Sequence, residues 1–353
     1  AGVRDPGVGD PADVPRAMVE GLGAVHAQLA GVPLRQALAA LVEREEAVYR
    51  AGARTSYFAG ALGVDVLTDT TERSPTFCTP AFRRRGDADA ADSWTFLFTD
   101  EADTERAWPR LLCRPPQTIE WSDDDLRALL DDETAAKQSA VLHDIGLSEL
   151  LRFRIGLDGL NDRPFRRGDA ALAVLSAAAD RHLVDPAGGV FAQQLARARD
   201  AGAAPGIIGV GRAADLRQLD DEARAAGFGL DVALEVPATP FLLDPLTRIG
   251  VKWLLNALST CTMVRLGRVL GNRMIWVVPS NLKLIDRSTR YIRDLAGVSY
   301  EDACRALFEV IEYIEPRRLA GKVYPAPVGV ATMRLRHQLS LEDAEARLFQ
   351  ELR

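Results

Sequence analysis

Apolar residues recur at helical spacing through the first fifty positions. VPRAMVEGLGAVHAQLA and PLRQALAALVEREEAVYRAG each carry leucine, alanine and valine along one side, and Gly52 is placed to end the second helix. TSYFAG then reads as a short strand, and LGVDVLTDT as a loop or helix. ERSPTFCTP follows, where a single carboxylate, Glu72, stands beside a proline-stiffened turn. From 87 to 168 the pattern is irregular. SWTFLFTD and QTIEWSDDD read as strands, and Ser122 caps a helix over DDDLRALLDDETAAKQSAVLHDIG.

Regular alternation starts at 169. DAALAVLSA, PGIIGVG and LDVALEVP read as buried strands separated by the helices GGVFAQQLARARDAG and ADLRQLDDEARAAG. Strands spaced by such helices predict an α/β fold: a doubly wound parallel sheet in three α/β/α layers, with ligands at the carboxyl ends of the strands. The last third is helical. PLTRIGVKWLLNALSTCTMVRLGRVLGN is long and apolar, NLKLIDRSTRYIRDLAG and SYEDACRALFEVIEYI are amphipathic, and a final small unit has Ser340 as a cap. The pattern divides the chain into an N-terminal helical arm (1–45), an α/β domain (46–260) with an irregular insertion at about 87–168, and a C-terminal helical region (261–353).

Composition narrows the function. With 47% hydrophobic and 26% charged residues, the 353-residue chain should build a substantial core. A net charge of -7 argues against a nucleic-acid partner held through its phosphates. The short basic runs FRRRG (82–86) and FRRG (165–168) read as solvated loops. Cys78, Cys113, Cys261 and Cys304 stand apart, which fits neither a disulfide framework nor a metal site and suits a reducing cytoplasm. His143-Asp144 is half of a metal-binding pair without a second half, so no metal and no cofactor is expected. The opening AGVRDPGVGDPADVP has no apolar core and reads as a loose arm, and no run is long enough for a membrane span. The GxxGxG spacing in GIIGVGR is weak evidence for a nucleotide.

One stretch carries a specific resemblance. Residues 254–292, LLNALSTCTMVRLGRVLGNRMIWVVPSNLKLIDRSTRYI, resemble the signature helix and loop of N-acetylmuramic acid 6-phosphate etherases, at Leu255–Thr260, Met263–Val269, Gly271, Asn272, Met274, Pro279, Asn281, Lys283, Leu284 and Arg287. ERSPTFCTP is similar to a second family motif, with Glu72, Pro75, Thr76, Phe77, Thr79 and Pro80 in place. The tail VGVATMRLRHQLSLEDAEARL resembles the family's terminal helical unit. The likeness covers roughly 40–80 and 170–350, and the insertion has no counterpart.

The resemblance implies a sugar isomerase (SIS) fold: a five-stranded parallel sheet between helices, acting as a homodimer with sites near the subunit interface. It implies a carbon–oxygen lyase that removes a proton next to a carbonyl and expels an ether oxygen, with glutamates as base and acid. Glu72 matches one of them. The second falls among Asp131, Asp132 and Glu133, of which Glu133 is carried forward. The family's three phosphosugar loops are altered. FAGALG keeps Gly60 and Gly63 but lacks the hydroxyl pair, SAAADRH keeps Ser176 and ends in His182, and ATPFLLDPLTRIGVK keeps Lys252. His182 and Arg212, both at strand ends, are candidate replacement donors. A phosphate needs several charge-assisted donors, so the family's 6-phosphate site is expected to be absent or rebuilt. The expected function is an etherase-like lyase or isomerase on a different sugar derivative. A non-catalytic sugar-sensing regulator is the alternative. A third outcome is a structural subunit whose pocket is filled by Phe58, Leu62, Phe241 and Leu242.

Overall fold

The computed structural model of the chain describes residues 14–143, 145–237, 244–320 and 324–351. Two helices lead in: α1 (Val14–Ala30) and α2 (Val32–Arg50), the latter ending where Gly52 takes φ 69°. Val25, Leu34, Leu41 and Val42 join the same core as the sheet, so the two helices that open the chain are packed against it. β1 (Thr55–Phe58) enters the sheet and α3 (Gly63–Phe77) leaves it. The turn expected at Ser74–Phe77 is helical: α3 runs through Pro75 and stops at Cys78, which has φ 52°. Pro75 sits in the last turn, so the helical hydrogen bond that it cannot make is at the end of α3 and not in its middle.

Next come β2 (Thr95–Phe98) and a run of short helices: α4 (Thr104–Leu112), α5 (Asp123–Leu129), α6 (Asp132–His143) and α7 (Leu147–Leu151). QTIEWSDDD forms no strand. Ser122 instead makes a capping box with Asp125, which commits the following residues to α5. The single helix expected over 123–146 is broken, because the Asp131 carboxylate accepts from the Thr134 N–H at 2.9 Å and starts α6 afresh. The rest of the sheet alternates as expected: β3 (Ala170–Ser176), α8 (Val190–Asp200), β4 (Ala204–Gly211), α9 (Ala213–Ala225) and β5 (Val232–Glu235).

The five strands are all parallel, in the order β2-β1-β3-β4-β5. β1, β2 and most of β3 and β4 are buried on both sides, whereas β5 alternates buried and exposed positions as an edge strand does. α8 and α9 contact one set of strands. α10 (Pro245–Arg265) packs with α1, α2 and α3 in a separate helical layer. The chain is therefore a three-layer α/β protein.

A two-residue hairpin, β6 (Val269–Leu270) and β7 (Arg273–Met274), turns at Gly271 with φ 62° and leads to α11 (Leu282–Ala296), α12 (Tyr300–Leu319), α13 (Pro327–His337) and α14 (Leu341–Glu351). These four helices have their own core around Ile292, Leu307, Val310, Val330 and Leu348. The joint between the two cores is the end of α3. Val278 donates its N–H to the Pro75 carbonyl at 3.3 Å, and Arg268 donates to the Phe77 and Cys78 carbonyls. The Arg268 guanidinium lies between the rings of Trp94 and Trp276, 4.5 and 4.4 Å from their centres. The Pro75-Thr76-Phe77 segment thus helps seat the helical region on the sheet. No helix among the described residues is long and apolar enough to cross a membrane.

Candidate active site

In a sheet of order 2-1-3-4-5 the connections after β1 and β3 leave in opposite directions and open a crevice where ligands usually bind. Here the crevice is closed from within. Asp180, 2% exposed, accepts the Ala61 N–H at 3.0 Å on one carboxylate oxygen and the Ser176 N–H at 2.9 Å on the other. These backbone amides stand where an anion cradle would offer its donors. Gly60 is needed for this contact, since a Cβ there would lie 2.6 Å from the Asp180 carboxylate and 2.9 Å from Leu183. Burial pushes the Asp180 carboxyl above the usual range, Asp100 adds to the shift, and the two amides oppose it. Gly63 serves packing, because a Cβ there would reach within 2.5 Å of Leu111. Phe58 and Leu62 are buried, while Phe241 and Leu242 lie outside the described residues.

Beside this plug, a cleft of about 230 Å³ opens at the ends of β3, β4 and β5. Ser176, Gly211, Arg212, Asp244 and Thr247 line it. Arg212 is exposed and bonded to Asp215 at 2.9 Å. His182 is exposed on the turn of 3-10 helix Arg181–Val184 and is not among the residues lining the cleft.

Glu72 belongs to a different place. It lies on the exposed side of α3 and pairs with Lys252 of α10 at 2.7 Å. Two residues from distant segments of the chain therefore meet. Glu72 borders a groove of about 420 Å³ between α3, α10 and the hairpin. Asn256, Thr260 and Asn272 supply hydrogen-bonding groups there, and Phe77, Val264 and Met274 supply apolar wall. Glu133 stays apart, exposed on α6 with Lys137 at 2.5 Å, and lines neither cleft. Asp131 is held as the α6 cap, and the side chain of His143 and all of Asp144 lie outside the described residues.

Beneath the groove lies a charged network that the sequence reading missed. Arg73, next to Glu72 but on the inner side of α3, donates to Glu45 at 3.0 and 3.2 Å and to Asp69 at 3.0 and 3.2 Å. Tyr57, Tyr49 and Thr262 donate to Glu45 at 2.5, 2.9 and 3.2 Å. All three charged residues are at most 3% exposed. Burial alone would lower the Arg73 value, but Glu45, Tyr57 and Asp69 outweigh it and hold the guanidinium firmly charged. The Tyr57 hydroxyl is pushed well up, chiefly by burial. The available signal was Glu45 on the apolar side of α2, in register with Leu41, Val42, Val48 and Tyr49.

With this geometry in view, the similarities to known proteins are informative. The chain is 47% identical over 83 residues to an N-acetylmuramic acid 6-phosphate etherase of Synechococcus sp. (strain CC9605), covering 22% of this chain and 26% of that one. That stretch is etherase-like. Etherases of Prochlorococcus marinus (strain MIT 9303), 52% identical over 63 residues, and of Staphylococcus aureus (strain USA300), 42% over 84, match 20% and 28% of their own length. The chain thus spans about a quarter of the length of these curated relatives. No family model matches it. Among solved structures, a phosphoheptose isomerase from Francisella tularensis aligns with 71% of this chain and 97% of its own, at 12% identity and a TM-score of 0.37.

Proposed function

We propose that the protein is an etherase-like carbon–oxygen lyase, or a related isomerase, acting on a sugar derivative in the α3–α10 groove. The observation that carries the reading is the Glu72–Lys252 pair, two etherase-motif residues brought together from distant segments at the edge of a sugar-sized groove. Glu72, with its side chain 61% exposed, is open to a ligand. As a carboxylate it takes the proton from the carbon beside the carbonyl. The electron pair of that C–H bond forms the new double bond, and the ether C–O bond breaks with its electrons on the departing oxygen, which takes up the proton that Glu72 removed. Lys252 supplies a positive charge beside the developing enolate. The Asp180 plug supports a substrate other than a 6-phosphosugar bound in the family manner, because the crevice amides are already bonded. We also read the exposed Trp253 and Val264 of α10 as part of a homodimer face, which sedimentation of the full chain tests.

The direct experiment is solvent exchange. Incubated in D2O with 3-O-substituted aldoses, the protein should place deuterium next to the carbonyl, and Glu72→Gln should abolish this. Absence of exchange with every such aldose would overturn the reading. The same plug favours a second reading, a sugar-sensing regulator without chemistry. Thermal stabilisation by these sugars with no exchange would select it.

A further inference from the structure

The 87–168 segment, expected to be an insertion, supplies strand β2 of the sheet and, together with the preceding loop at 83–86, encloses a second pocket. The pocket has a volume of about 200 Å³ and lies beside the amino-terminal ends of β1 and β2, away from the Asp180 crevice. Six arginines line it: Arg83, Arg84, Arg85, Arg152, Arg154 and Arg163. The basic run read from sequence as a solvated loop therefore faces two other arginine-bearing segments across a cavity. Phe96 forms one wall, stacked on Phe82 with ring centres 3.9 Å apart, and the Arg163 guanidinium lies over the Phe96 ring at 5.6 Å.

The segments are locked together. Arg85 donates its N–H to the Arg152 carbonyl at 2.9 Å, and the Arg152 side chain returns a bond to the Arg85 carbonyl at 3.0 Å. The Glu149 carboxylate holds Arg84 at 2.5 Å and Arg152 at 2.8 Å. Asp92, which lines the pocket, is shared by Arg83, Arg54 and Arg166. Arg154 is tied to Asp158 and, at 3.6 Å, to Asp162.

These carboxylates do not cover every guanidinium. Among the described residues Arg85 and Arg163 have none within 4.0 Å. Arg85 is exposed. Arg163 is 6% exposed, and its partners are neutral: the Ser93 carbonyl at 2.9 Å, with longer contacts of 3.4 Å to the Thr55 carbonyl and the Ser56 and Ser93 hydroxyls. A buried guanidinium without a counterion is costly, and a bound anion would relieve it. Burial, with nearby Arg54, pushes the Arg163 value down to about 9, although Asp92 and Asp169 act from beyond contact distance in the opposite sense. The rest of the chain is acidic, so this excess runs against the overall charge of -7.

We propose that this pocket binds the phosphate group of a small phosphate ester, with Arg85 and Arg163 as the charge-bearing donors. A phosphate dianion matches their two unpaired charges, and planar forked guanidiniums on three segments suit its several oxygens. This site is separate from the groove at Glu72 and does not depend on the reaction proposed there.

The test is calorimetric titration of the full chain with inorganic phosphate at constant ionic strength. Wild-type protein should bind in the millimolar range or better. Arg85→Gln, an exposed residue without an ion pair, should weaken binding about tenfold with unchanged thermal stability, as should Arg163→Gln if it folds. Arg212→Gln in the strand-end cleft should leave binding intact. Overturning results are no binding at millimolar phosphate, unchanged binding in Arg85→Gln, or binding lost only in Arg212→Gln.

Discussion

Two arginines are buried to nearly the same degree in this protein, yet their surroundings differ. Arg73 sits between the carboxylates of Glu45 and Asp69, with the Tyr49 and Tyr57 hydroxyls closing the shell. Arg163 is surrounded by backbone carbonyls and serine hydroxyls. Burial acts against both charges, but only Arg73 has partners that overcome it, so one guanidinium is held more basic than usual and the other less. Arg73 therefore completes a closed unit that supports the groove. Arg163 belongs to an open one, where positive charge still faces a cavity.

Replacing these residues tests the contrast. The largest expected effect is in Arg73→Met, which leaves two carboxylates buried without their cation and should cost about 3–5 kcal/mol in urea denaturation. Asp180→Ala should follow, at about 1–3 kcal/mol, because the Ala61 and Ser176 amides lose their acceptor. Asp180 also gives a signed pH test. Its carboxyl is raised in the fold, so the folded chain holds that proton more tightly than the unfolded one. The stabilisation this gives is full below the ordinary carboxyl value and is lost as pH rises through the raised one. The stability of wild type relative to Asp180→Asn should accordingly fall as pH rises from the ordinary carboxyl range through the raised one.

Arg163→Met should cost clearly less than Arg73→Met, about 1–3 kcal/mol, because it strands neutral acceptors and no contacting carboxylate. A loss as large as that of Arg73→Met would erase the distinction between the two arginines. The smallest effect belongs to Glu72→Gln. Exposed on α3, it should shift stability by less than about 0.5 kcal/mol while abolishing deuterium exchange.

Much of the fold was legible because burial on both faces of a parallel sheet writes itself as short apolar runs. AALAVLS and GIIGVG could be little else. The misreadings arose where one residue type serves two purposes. Pro75 predicts a turn, but it lies inside α3, where the Val278 N–H bonds its carbonyl and Arg268 bonds the Phe77 and Cys78 carbonyls just beyond. Ile119 and Trp121 suggested a strand, yet no neighbouring strand pairs with them and the Ser122 cap takes over.

The site was less legible than the fold. Motif matching found Glu72 and Lys252 but could not say that they touch, because 180 residues separate them. Asp180 was visible at the end of a strand, in a loop already seen to differ from the family. That its carboxylate would occupy the amide crevice depends on how two distant loops meet. Glu45, Arg73 and Arg163 gain their meaning only from burial, and a charged residue on one side of a helix does not announce which neighbours will enclose it.

The Arg268 sandwich has one more consequence. Trp94 belongs to the body that carries the sheet and Trp276 to the approach to the helical tail, so the cation between them makes the joint optically readable. A hinge movement at that seam would pull an indole off the guanidinium and change its emission. The molecule carries its own gauge of whether ligand binding in the groove reaches the tail.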